Sequence, residues 1–502
     1  MSNSQAAGAT FLGLDIGTSS VKALLVDQGQ RVVGEATAAL DLSRPEPLWS
    51  EQNADDWHLG VEAAVAELRV RAAEAFSRLS GVGLSGQMHG ATLIDAADKP
   101  LRPAILWNDG RSFAECAELE AKVEGFRRRA SNIAMPGFTA PKVMWVAKHE
   151  PKIFEKTRRV LLPKDYVRLR LTGEAVSDMS DAAGTLWLDI ANRRWDDVLL
   201  AASGLDRSFM PRLVEGSEVS AFLLPGIARA WGLGDRRVPV AGGGGDNAAS
   251  AVGVGAVTAG AGFVSLGTSG VIFAVTDRFV SAPERTLHAF CHAVPGRWHG
   301  MSVMLTAAAA LSWVAALLGQ TEAIGALAHE AEMLASDAAK VSAAPIFLPY
   351  LSGERTPHND AAATGLFAGL RAEHGPASVA YSVMEGVAFA FADGSDVLAE
   401  AGAKPAHPLL VGGGARSHFW GQLIADATGL SIDLAEGAEA GAALGAARLG
   451  MLCAGAGSEA EICRKPPIVA TFAPDPARAA LLAPRLKRYR ALYKAERSTR
   501  GD

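Results

Sequence analysis

Short apolar runs alternate along the chain with longer segments of helical periodicity. Residues 54–76 carry apolar side chains at the three- and four-residue spacing of an amphipathic helix. The runs that we predict as strands are residues 11–14, 21–26, 81–84, 91–95, 262–266, 271–275 and 409–411. Alternating strands and helices are typical of α/β domains, so the pattern predicts an α/β fold.

One short motif occurs twice, half a chain apart: residues 14–21 read LDIGTSSV and residues 264–271 read VSLGTSGV. Each copy lies between two strand-like runs and predicts a β-hairpin with a Gly-Thr-Ser turn. Small turns of this kind let backbone N–H groups and hydroxyls approach an anion closely. Each copy alone also fits a plain hairpin turn, but together they could hold one polyphosphate from opposite sides. The candidate phosphate contacts are Thr18, Ser19, Gly267 and Thr268.

The run GGGGDN at residues 242–247 is the strongest candidate site for chemistry. Its glycines permit a tight strand-to-helix turn, which would place Asp246 at a helix start facing the gap between the two halves. A carboxylate there can accept a hydroxyl proton. The alternative is that Asp246 only caps the helix, since aspartate is a favoured cap.

Asp15 is a second candidate carboxylate, because its counterpart in the repeat is Ser265 and only the first hairpin brings a negative charge. A single carboxylate beside a triphosphate can hold Mg²⁺ directly or through water, so Asp15 is the candidate metal residue. The alternative is a strand-end aspartate that bonds its own turn.

A third glycine element, Gly412, Gly413 and Gly414, separates the predicted strand 409–411 from a predicted helix through residues 419–424. Backbone without side chains suits the flat face of an adenine ring. The same three residues would also fit a crowded strand-to-helix turn.

Mixed polar and aromatic segments cluster in the first half, at residues 49–52, 87–90, 107–111 and 164–166. Such mixtures suit a ligand with many hydroxyl groups, because they offer donors, acceptors and an apolar face. His89, taken alone, would equally fit an internal histidine with satisfied partners. The candidate substrate contacts here are Gln87, Met88, His89, Trp107 and Asp109.

The length of 502 residues exceeds what one hydrophobic core fills, so two large domains with a cleft between them are expected. We divide the chain into a disordered lead at 1–9, a first domain at 10–255 and a second domain at 256–495. The longest apolar stretch, residues 307–318, is shorter than the roughly 20 residues of a membrane span. We therefore expect a buried helix there and no membrane partner.

Charge and cysteine content argue against nucleic acid as a partner and against a zinc site. The net charge is −6 and lysines and arginines are spread along the chain, which disfavours a nucleic-acid partner. Four cysteines without a Cys-x-x-Cys pair indicate reduced, cytosolic usage and no zinc framework. The run GVGLSG at residues 81–86 matches a dinucleotide pattern, but no helix clearly follows it, so we predict a strand between turns.

These motifs together resemble the FGGY family of carbohydrate kinases, which includes glycerol, gluconate and xylulose kinases, over nearly the whole chain. The two hairpins, the segment GGDN and the glycine triplet are general to that family. More specific segments resemble the members that phosphorylate D-xylulose: PLWSEQ at 47–52, GQMHG at 86–90, ILWNDGR at 105–111, LPKDY at 162–166 and YLSGERTPH at 350–358.

The resemblance implies two actin-like ATPase (ribonuclease H-like) domains flanking a deep catalytic cleft, with sugar held mainly by the first domain and ATP by the second. It implies that Asp246 is the general base and that Asp15 serves Mg²⁺. The other implied roles are Met88, His89 and Asn247 for the sugar, Thr18 and Thr268 for the phosphates, and Gly413 and Gly414 for adenosine.

The implied reaction is ATP-dependent phosphorylation of D-xylulose at O5 by a cytoplasmic enzyme of xylose catabolism, and a homodimer is left open. Two alternatives remain at this point. One is a kinase of the same mechanism for another ketose or polyol, such as L-ribulose, D-ribulose, gluconate or glycerol. The other is a sugar-sensing, actin-like ATPase that does not phosphorylate sugar.

Overall fold

The computed structural model describes residues 8–436 and 441–500, so most of the predicted disordered lead at 1–9 lies outside the described residues. The strands are β1 (Thr10–Ile16), β2 (Ser20–Asp27), β3 (Val32–Ala39), β4 (Glu51–Gln52), β5 (Leu79–Gly86), β6 (Thr92–Ile94), β7 (Ala104–Ile105), β8 (Arg159–Leu161), β9 (Val176–Asp178), β10 (Leu188–Asp189), β11 (Arg194–Trp195), β12 (Arg212–Val214), β13 (Val219–Phe222), β14 (Pro239–Ala241), β15 (Gly244–Gly245), β16 (Gly262–Leu266), β17 (Gly270–Thr276), β18 (His288–Cys291), β19 (Trp298–Met304), β20 (Ile346–Leu348), β21 (Leu366–Ala368), β22 (Leu409–Val411), β23 (Ile432–Ala435) and β24 (Ile468–Phe472).

The helices follow the predicted alternation, and the segment predicted at 54–76 forms two of them with a break at Ala72. In chain order they are α1 (Ala54–Arg71), α2 (Ala73–Phe76), α3 (Phe113–Lys122), α4 (Phe126–Ala130), α5 (Thr139–His149), α6 (Pro151–Lys156), α7 (Pro163–Thr172), α8 (Met179–Ala182), α9 (Asp197–Ala202), α10 (Pro225–Ala230), α11 (Asp246–Gly253), α12 (Ala308–Leu317), α13 (Ile324–Ala335), α14 (Ala338–Ala343), α15 (Pro376–Glu400), α16 (His418–Thr428), α17 (Gly441–Cys453), α18 (Glu459–Ile462) and α19 (Pro476–Thr499).

Two large mixed sheets form the centres of the two halves. The first has the order β13-β14-β5-β1-β2-β3, with β15 added beside β5, and the second has the order β18-β19-β17-β16-β22-β23-β24. Apolar side chains of β1 and β2 are buried almost throughout, because these strands have packed layers on both faces. Both predicted hairpins are confirmed, and in the first the N–H of Gly17 donates to the carbonyl of Ser20 at 3.0 Å.

The two sheets share one topology, so the internal repeat includes the central sheet of each half as well as the hairpin motif. From β3 through β2, β1, β5 and β14 to β13, neighbouring pairs are antiparallel, antiparallel, parallel, parallel and antiparallel. From β19 through β17, β16, β22 and β23 to β24, the same order of pairings occurs. Two such sheets in one chain form the actin-like ATPase (ribonuclease H-like) architecture, so the predicted fold class is confirmed.

Helix α17 belongs to the second half by sequence but packs against β1 and β5 of the first sheet and against α11. Glycines make this close approach possible. A Cβ atom on Gly83 would lie 1.7 Å from the carbonyl oxygen of Ala446, and one on Gly13 would lie 2.0 Å from that of Ala443. Gly81 and Gly83 thus allow a helix to pack on a central strand, and the run at 81–86 forms the strand β5, as predicted instead of a dinucleotide site.

Helix α12 forms where the apolar stretch at 307–318 predicts a helix, but it is buried on one face only. Trp313 is 39% exposed and Leu317 is 67% exposed, so the expected buried helix is buried on one face and exposed on the other. The buried face, which includes Leu311 and Val314, packs into the core of the second half. Across residues 8–436 and 441–500, we find no helix with the length and apolar character needed to cross a membrane.

Candidate active site

Asp15 and Asp246 are brought together near the ends of β1 and β15, which pair with β5 from its two sides. Asp15 of β1 is in register with Ser85 of β5, which is in turn paired with Gly244 of β15. Asp246 follows β15 directly and is the first residue of α11. The N-cap of α11 is Gly245, so the alternative of Asp246 as the helix cap does not apply.

The environment of Asp246 suits a base that works near neutral pH. Burial, and to a smaller extent the nearby negative charge of Asp15, raise the pKa of Asp246 to about 6 against the opposing effect of hydrogen bonds from Asn247. The backbone N–H of Asn247 donates to Asp246 Oδ1 at 2.7 Å, and its side-chain amide donates to the same oxygen at 2.9 Å. These bonds hold the carboxylate in one orientation.

Asp15 has the features of a carboxylate that can bind a cation. Burial raises its pKa, although Ser85 and Lys22 lower it in part. Its Oδ1 atom is buried and accepts no hydrogen bond from any residue in the described part of the chain. A bound cation or its water would satisfy this oxygen.

Asp246 lines a cavity of about 320 Å³ between the two halves, together with four other predicted site residues: Met88, His89, Trp107 and Asn247. His89 has the positive backbone φ of 70°. Burial lowers the His89 pKa to about 3, so the ring is neutral, and its Nδ1 lies 2.7 Å from the carbonyl oxygen of Gly184. Because a carbonyl only accepts, Nδ1 carries the proton and Nε2 remains an acceptor for a ligand hydroxyl.

Trp107 connects this cavity to the first Gly-Thr-Ser turn. Its indole N–H donates to Thr18 Oγ1 at 3.0 Å, and that hydroxyl donates to Gln87 Oε1 at 3.0 Å. The Gln87 amide donates in turn to Gln52 Oε1 at 2.8 Å. Gln87 is not among the residues that line the cavity; it orients the hydroxyl of Thr18. Ser19 is exposed at the turn.

Asp109 is also buried away from the cavity lining. It pairs with Arg111 at 2.7 Å and accepts a hydrogen bond from the N–H of Ser50 at 2.6 Å. The Arg111 guanidinium stacks 3.6 Å above the Trp49 ring. Asp109 therefore orders the segment around residues 49–52, from which Gln52 reaches Thr18.

Two further cavities continue from the first into the second half. One, of about 430 Å³, shares Asn247 and Ser265 with the cavity of about 320 Å³, which we call the sugar-side cavity because it is lined by the predicted sugar contacts Met88, His89 and Asn247. It shares Gly413 and Arg416 with a larger cavity of about 1080 Å³. The three form a path from Asp246 to the glycine triplet. The predicted nucleotide residues on this path are Gly267, Thr268, Gly412, Gly413 and Gly414.

The second turn is fixed to the start of α12 by its backbone. The carbonyl of Gly267 accepts from the N–H of Ala308 at 2.8 Å, and that of Thr268 accepts from the N–H of Ala307 at 2.9 Å. These bonds fix the turn at the wall of the cavity of about 1080 Å³. This position fits the predicted role of Thr268 toward the phosphates.

Sequence reasoning missed residues that the second half contributes. His288, Phe290 and Arg355 line the sugar-side cavity, although they follow the first domain in sequence. The Arg355 guanidinium has no hydrogen bond or ion pair to any residue at 8–436 or 441–500. The segment YLSGERTPH contains Arg355, but the sequence held no signal that this side chain lines the cavity. Arg416, beside the glycine triplet, was missed in the same way.

The polar segment at 164–166, in contrast, does not reach any of these cavities. The side chains of Lys164 and Asp165 are fully buried and paired at 2.7 Å. Tyr166 is buried as well, and its hydroxyl donates to Asp55 Oδ1 at 2.6 Å. A mixed polar sequence fits an internal network as well as a sugar pocket, and here it forms the former.

Comparison with known proteins places the chain in a family. Residues 10–253 match the N-terminal domain of the FGGY family of carbohydrate kinases, and residues 262–454 match its C-terminal domain. The chain is 50% identical over 485 residues to the xylulose kinase of Escherichia coli (strain K12), which covers 96% of this chain and 98% of that protein. It is 35% identical over 454 residues to the xylulose kinase of Bacillus subtilis (strain 168), covering 90% of each.

Solved structures agree with this placement. A crystal structure described as a xyloylose kinase from Brucella ovis superposes with a TM-score of 0.93 at 49% identity, covering 98% of this chain and 100% of that one. Xylulose kinase from Rhodospirillum rubrum superposes with a TM-score of 0.89 at 30% identity, covering 98% and 99%. With both family domains matched, two equivalent sheets and a carboxylate at their junction, the chain belongs to the FGGY family of carbohydrate kinases.

Proposed function

We propose that this protein transfers the γ-phosphoryl group of ATP to O5 of D-xylulose, giving D-xylulose 5-phosphate and ADP. The observation that carries the proposal is the position of Asp246, which lines the sugar-side cavity while its neighbour Asn247 also lines the next cavity. A hydroxyl held beside Asp246 would face the end of a nucleotide that fills the path to the glycine triplet. The named activity of the relatives in Escherichia coli and Bacillus subtilis supports D-xylulose as the substrate.

Phosphoryl transfer has a loose transition state, so catalysis depends mainly on alignment and charge stabilisation. Asp246, with a pKa of about 6, is largely ionised at pH 7 and can accept the proton of O5. As the bond from O5 to the γ-phosphorus forms, the bond from that phosphorus to the β–γ bridging oxygen breaks and ADP leaves. Asn247 keeps the carboxylate oriented during this step.

Asp15 is the residue that would hold Mg²⁺, because it presents a buried carboxylate oxygen without a hydrogen-bond partner in the described part of the chain. When bound, Mg²⁺ would offset negative charge on the phosphates. Gly267 and Thr268 of the second turn line the path and would supply N–H and hydroxyl donors to the phosphates. From the first turn, Ser19 would supply its hydroxyl and Thr18 its backbone N–H, because the Thr18 hydroxyl already donates to Gln87.

A sugar panel with detection of ADP tests the substrate. We expect the highest kcat/KM for D-xylulose, with L-ribulose, D-ribulose, D-gluconate and glycerol as competitors. Equal or better turnover of any of these would overturn the choice of substrate while leaving the kinase mechanism intact. ATP hydrolysis without sugar phosphate in every case would favour the sensor alternative.

The variant Asp246→Asn tests the mechanism. The amide keeps the size of the side chain but cannot accept the proton as a carboxylate does, so we expect nearly complete loss of transfer. Calorimetric titration with D-xylulose should still show binding. Undiminished transfer would remove Asp246 from its role.

A homodimer stays a prediction, which light scattering coupled to size-exclusion chromatography would check.

A further inference from the structure

A network of five charged residues lies in the interior of the first half. The members, all with fully buried side chains, are Lys164, Asp165, Arg168, Asp178 and Asp181. Lys164 Nζ lies 2.7 Å from Asp165 and from Asp178 and 2.9 Å from Asp181. Burying charges costs solvation that their attraction often fails to recover, so stability alone is a weak reason for such a network.

The network contacts the glycine run that leads to Asp246. The guanidinium of Arg168 donates to the carbonyl oxygens of Ala241 and Gly242. The nearer of these anchored carbonyls, that of Gly242, lies four positions before Asp246 in sequence. The backbone of the run is held on one side by β5 and on the other by these bonds.

Ser180 forms the closest connection to Asp246. Its hydroxyl donates to a carboxylate oxygen of Asp178, which is the ion-pair partner of Lys164. The same hydroxyl oxygen accepts the N–H of Gly245 at 3.1 Å. A continuous chain of polar contacts thus runs from Lys164 through Asp178 and Ser180 to the Gly244–Gly245 peptide, one residue before Asp246.

We propose that Ser180, held by Asp178 and Lys164, is a positioning residue that sets the orientation of Asp246 for proton transfer. The proposal rests on the proposed function, in which Asp246 is the base. Gly245 has no side chain to anchor it, so its backbone is placed by its pairing with Gly86 of β5 and by this hydrogen bond from the side of the charged network. Losing the acceptor would let Asp246 shift relative to the sugar hydroxyl without altering the residues that bind the sugar.

The test compares Ser180→Ala with the matched control Ser177→Ala. The Ser177 hydroxyl donates to Asp165 Oδ2 at 2.6 Å, so both variants remove one buried hydroxyl from the same network. Of these two serine side chains, only that of Ser180 forms a hydrogen bond with the glycine run in the described part of the chain. Both variants should lower Tm by similar amounts, since each leaves one carboxylate short of a donor.

We expect Ser180→Ala to lower kcat by roughly 10- to 100-fold, because small displacements of reacting groups have effects of this order. The KM for D-xylulose should stay close to that of the wild type. Ser177→Ala should retain the wild-type kcat. A merely structural role for Ser180 predicts unchanged kcat per folded molecule in both variants, and that result would overturn the proposal. Equal losses of kcat in both variants would overturn it as well.

The same assay includes the wild type and Asp246→Asn. If the wild type phosphorylates no sugar, or if Asp246→Asn stays active, the proposed function fails and not only the role of Ser180. If Ser180→Ala does not fold, as judged by near-UV circular dichroism, Ser180→Cys replaces it. Its thiol is close in size but accepts hydrogen bonds weakly, so the same loss of kcat is expected.

Discussion

The negative charge of Asp15 raises the pKa of Asp246, in addition to the larger effect of burial, so the two strand-end carboxylates are electrostatically linked. Asp246 is thereby a stronger base than an ordinary aspartate, with a pKa of about 6 instead of 3.8. A general base is most effective when its pKa lies near the working pH. Four predictions follow from this pair and from the cavities around it.

The first concerns the pH dependence of catalysis. The value of kcat/KM, measured with both substrates limiting, should fall as the pH drops through about 6, because protonated Asp246 cannot accept a proton. Asp15→Asn should move this limb to lower pH in its residual activity, since it removes the charge that raises the pKa of Asp246. A limb that does not move, or moves to higher pH, would contradict the linkage.

The second concerns the stability of Asp246→Asn. The folded pKa of Asp246 is raised, so its contribution to stability is present below the unfolded value and is lost as the pH rises through about 6. The variant should therefore have a higher Tm than the wild type at pH 8, and the difference should vanish near pH 4. Thermal unfolding at a series of pH values, without nucleotide or divalent cation, measures this.

Asp360→Asn is the control of opposite sign. A hydrogen bond from Arg500 lowers the pKa of Asp360 to about 2, so its ionised form stabilises the fold at neutral pH. This variant should have a lower Tm than the wild type at pH 8. Equal shifts in the same direction for both variants would contradict the assignment.

The third separates two glycines of the nucleotide segment. A Cβ atom on Gly414 would lie 2.4 Å from Leu266 Cγ, so Gly414→Ala should destabilise the second half. A Cβ on Gly413 would approach no atom closer than 3.8 Å and would project where the two nucleotide-side cavities meet. Gly413→Ala should therefore keep the wild-type Tm but raise the KM for ATP. A normal KM for ATP would remove Gly413 from the nucleotide site.

The fourth pairs two arginines that sequence reasoning missed. Arg355→Ala should raise the KM for sugar by roughly tenfold or more, which corresponds to a lost hydrogen bond from a charged donor, and leave the KM for ATP nearly unchanged. Arg416→Ala should do the reverse, because Arg416 lines only the two cavities beyond Asp246. Steady-state kinetics with each substrate varied in turn measures both. Equal effects on the two KM values would contradict the assignment of Arg355 to the sugar site and of Arg416 to the nucleotide site.

Local features of the chain were predictable because they depend on nearby residues. The Gly-Thr-Ser turns form hairpins since apolar runs flank them on both sides, and the run of glycines before Asp246 produces the predicted strand-to-helix turn. The repeated motif also predicted a second hairpin equivalent to the first. The shared topology of the two sheets became apparent only from the structure, which shows how the strands between the hairpins pair.

Contacts between distant segments were not predictable from local pattern. Arg355 reaches the sugar-side cavity from the second half, and nothing in its neighbourhood indicates which cavity it lines. Lys164 and Asp165 resemble a polar ligand site in sequence, since composition cannot show that charged side chains pair with each other in the interior. Gln87 was predicted to contact sugar, but its amide is engaged by Thr18 and Gln52.

The packing of α17 on the first sheet has a consequence for the integrity of the molecule. The first half does not complete its own interior, because the glycine-lined face of β1 and β5 is covered by α17, which follows β5 by roughly 350 residues. Proteolytic cleavage at the exposed tip near Thr258 would therefore yield two fragments that remain associated and migrate as one particle under native conditions. Expression of the first half by itself would instead leave that face open to self-association.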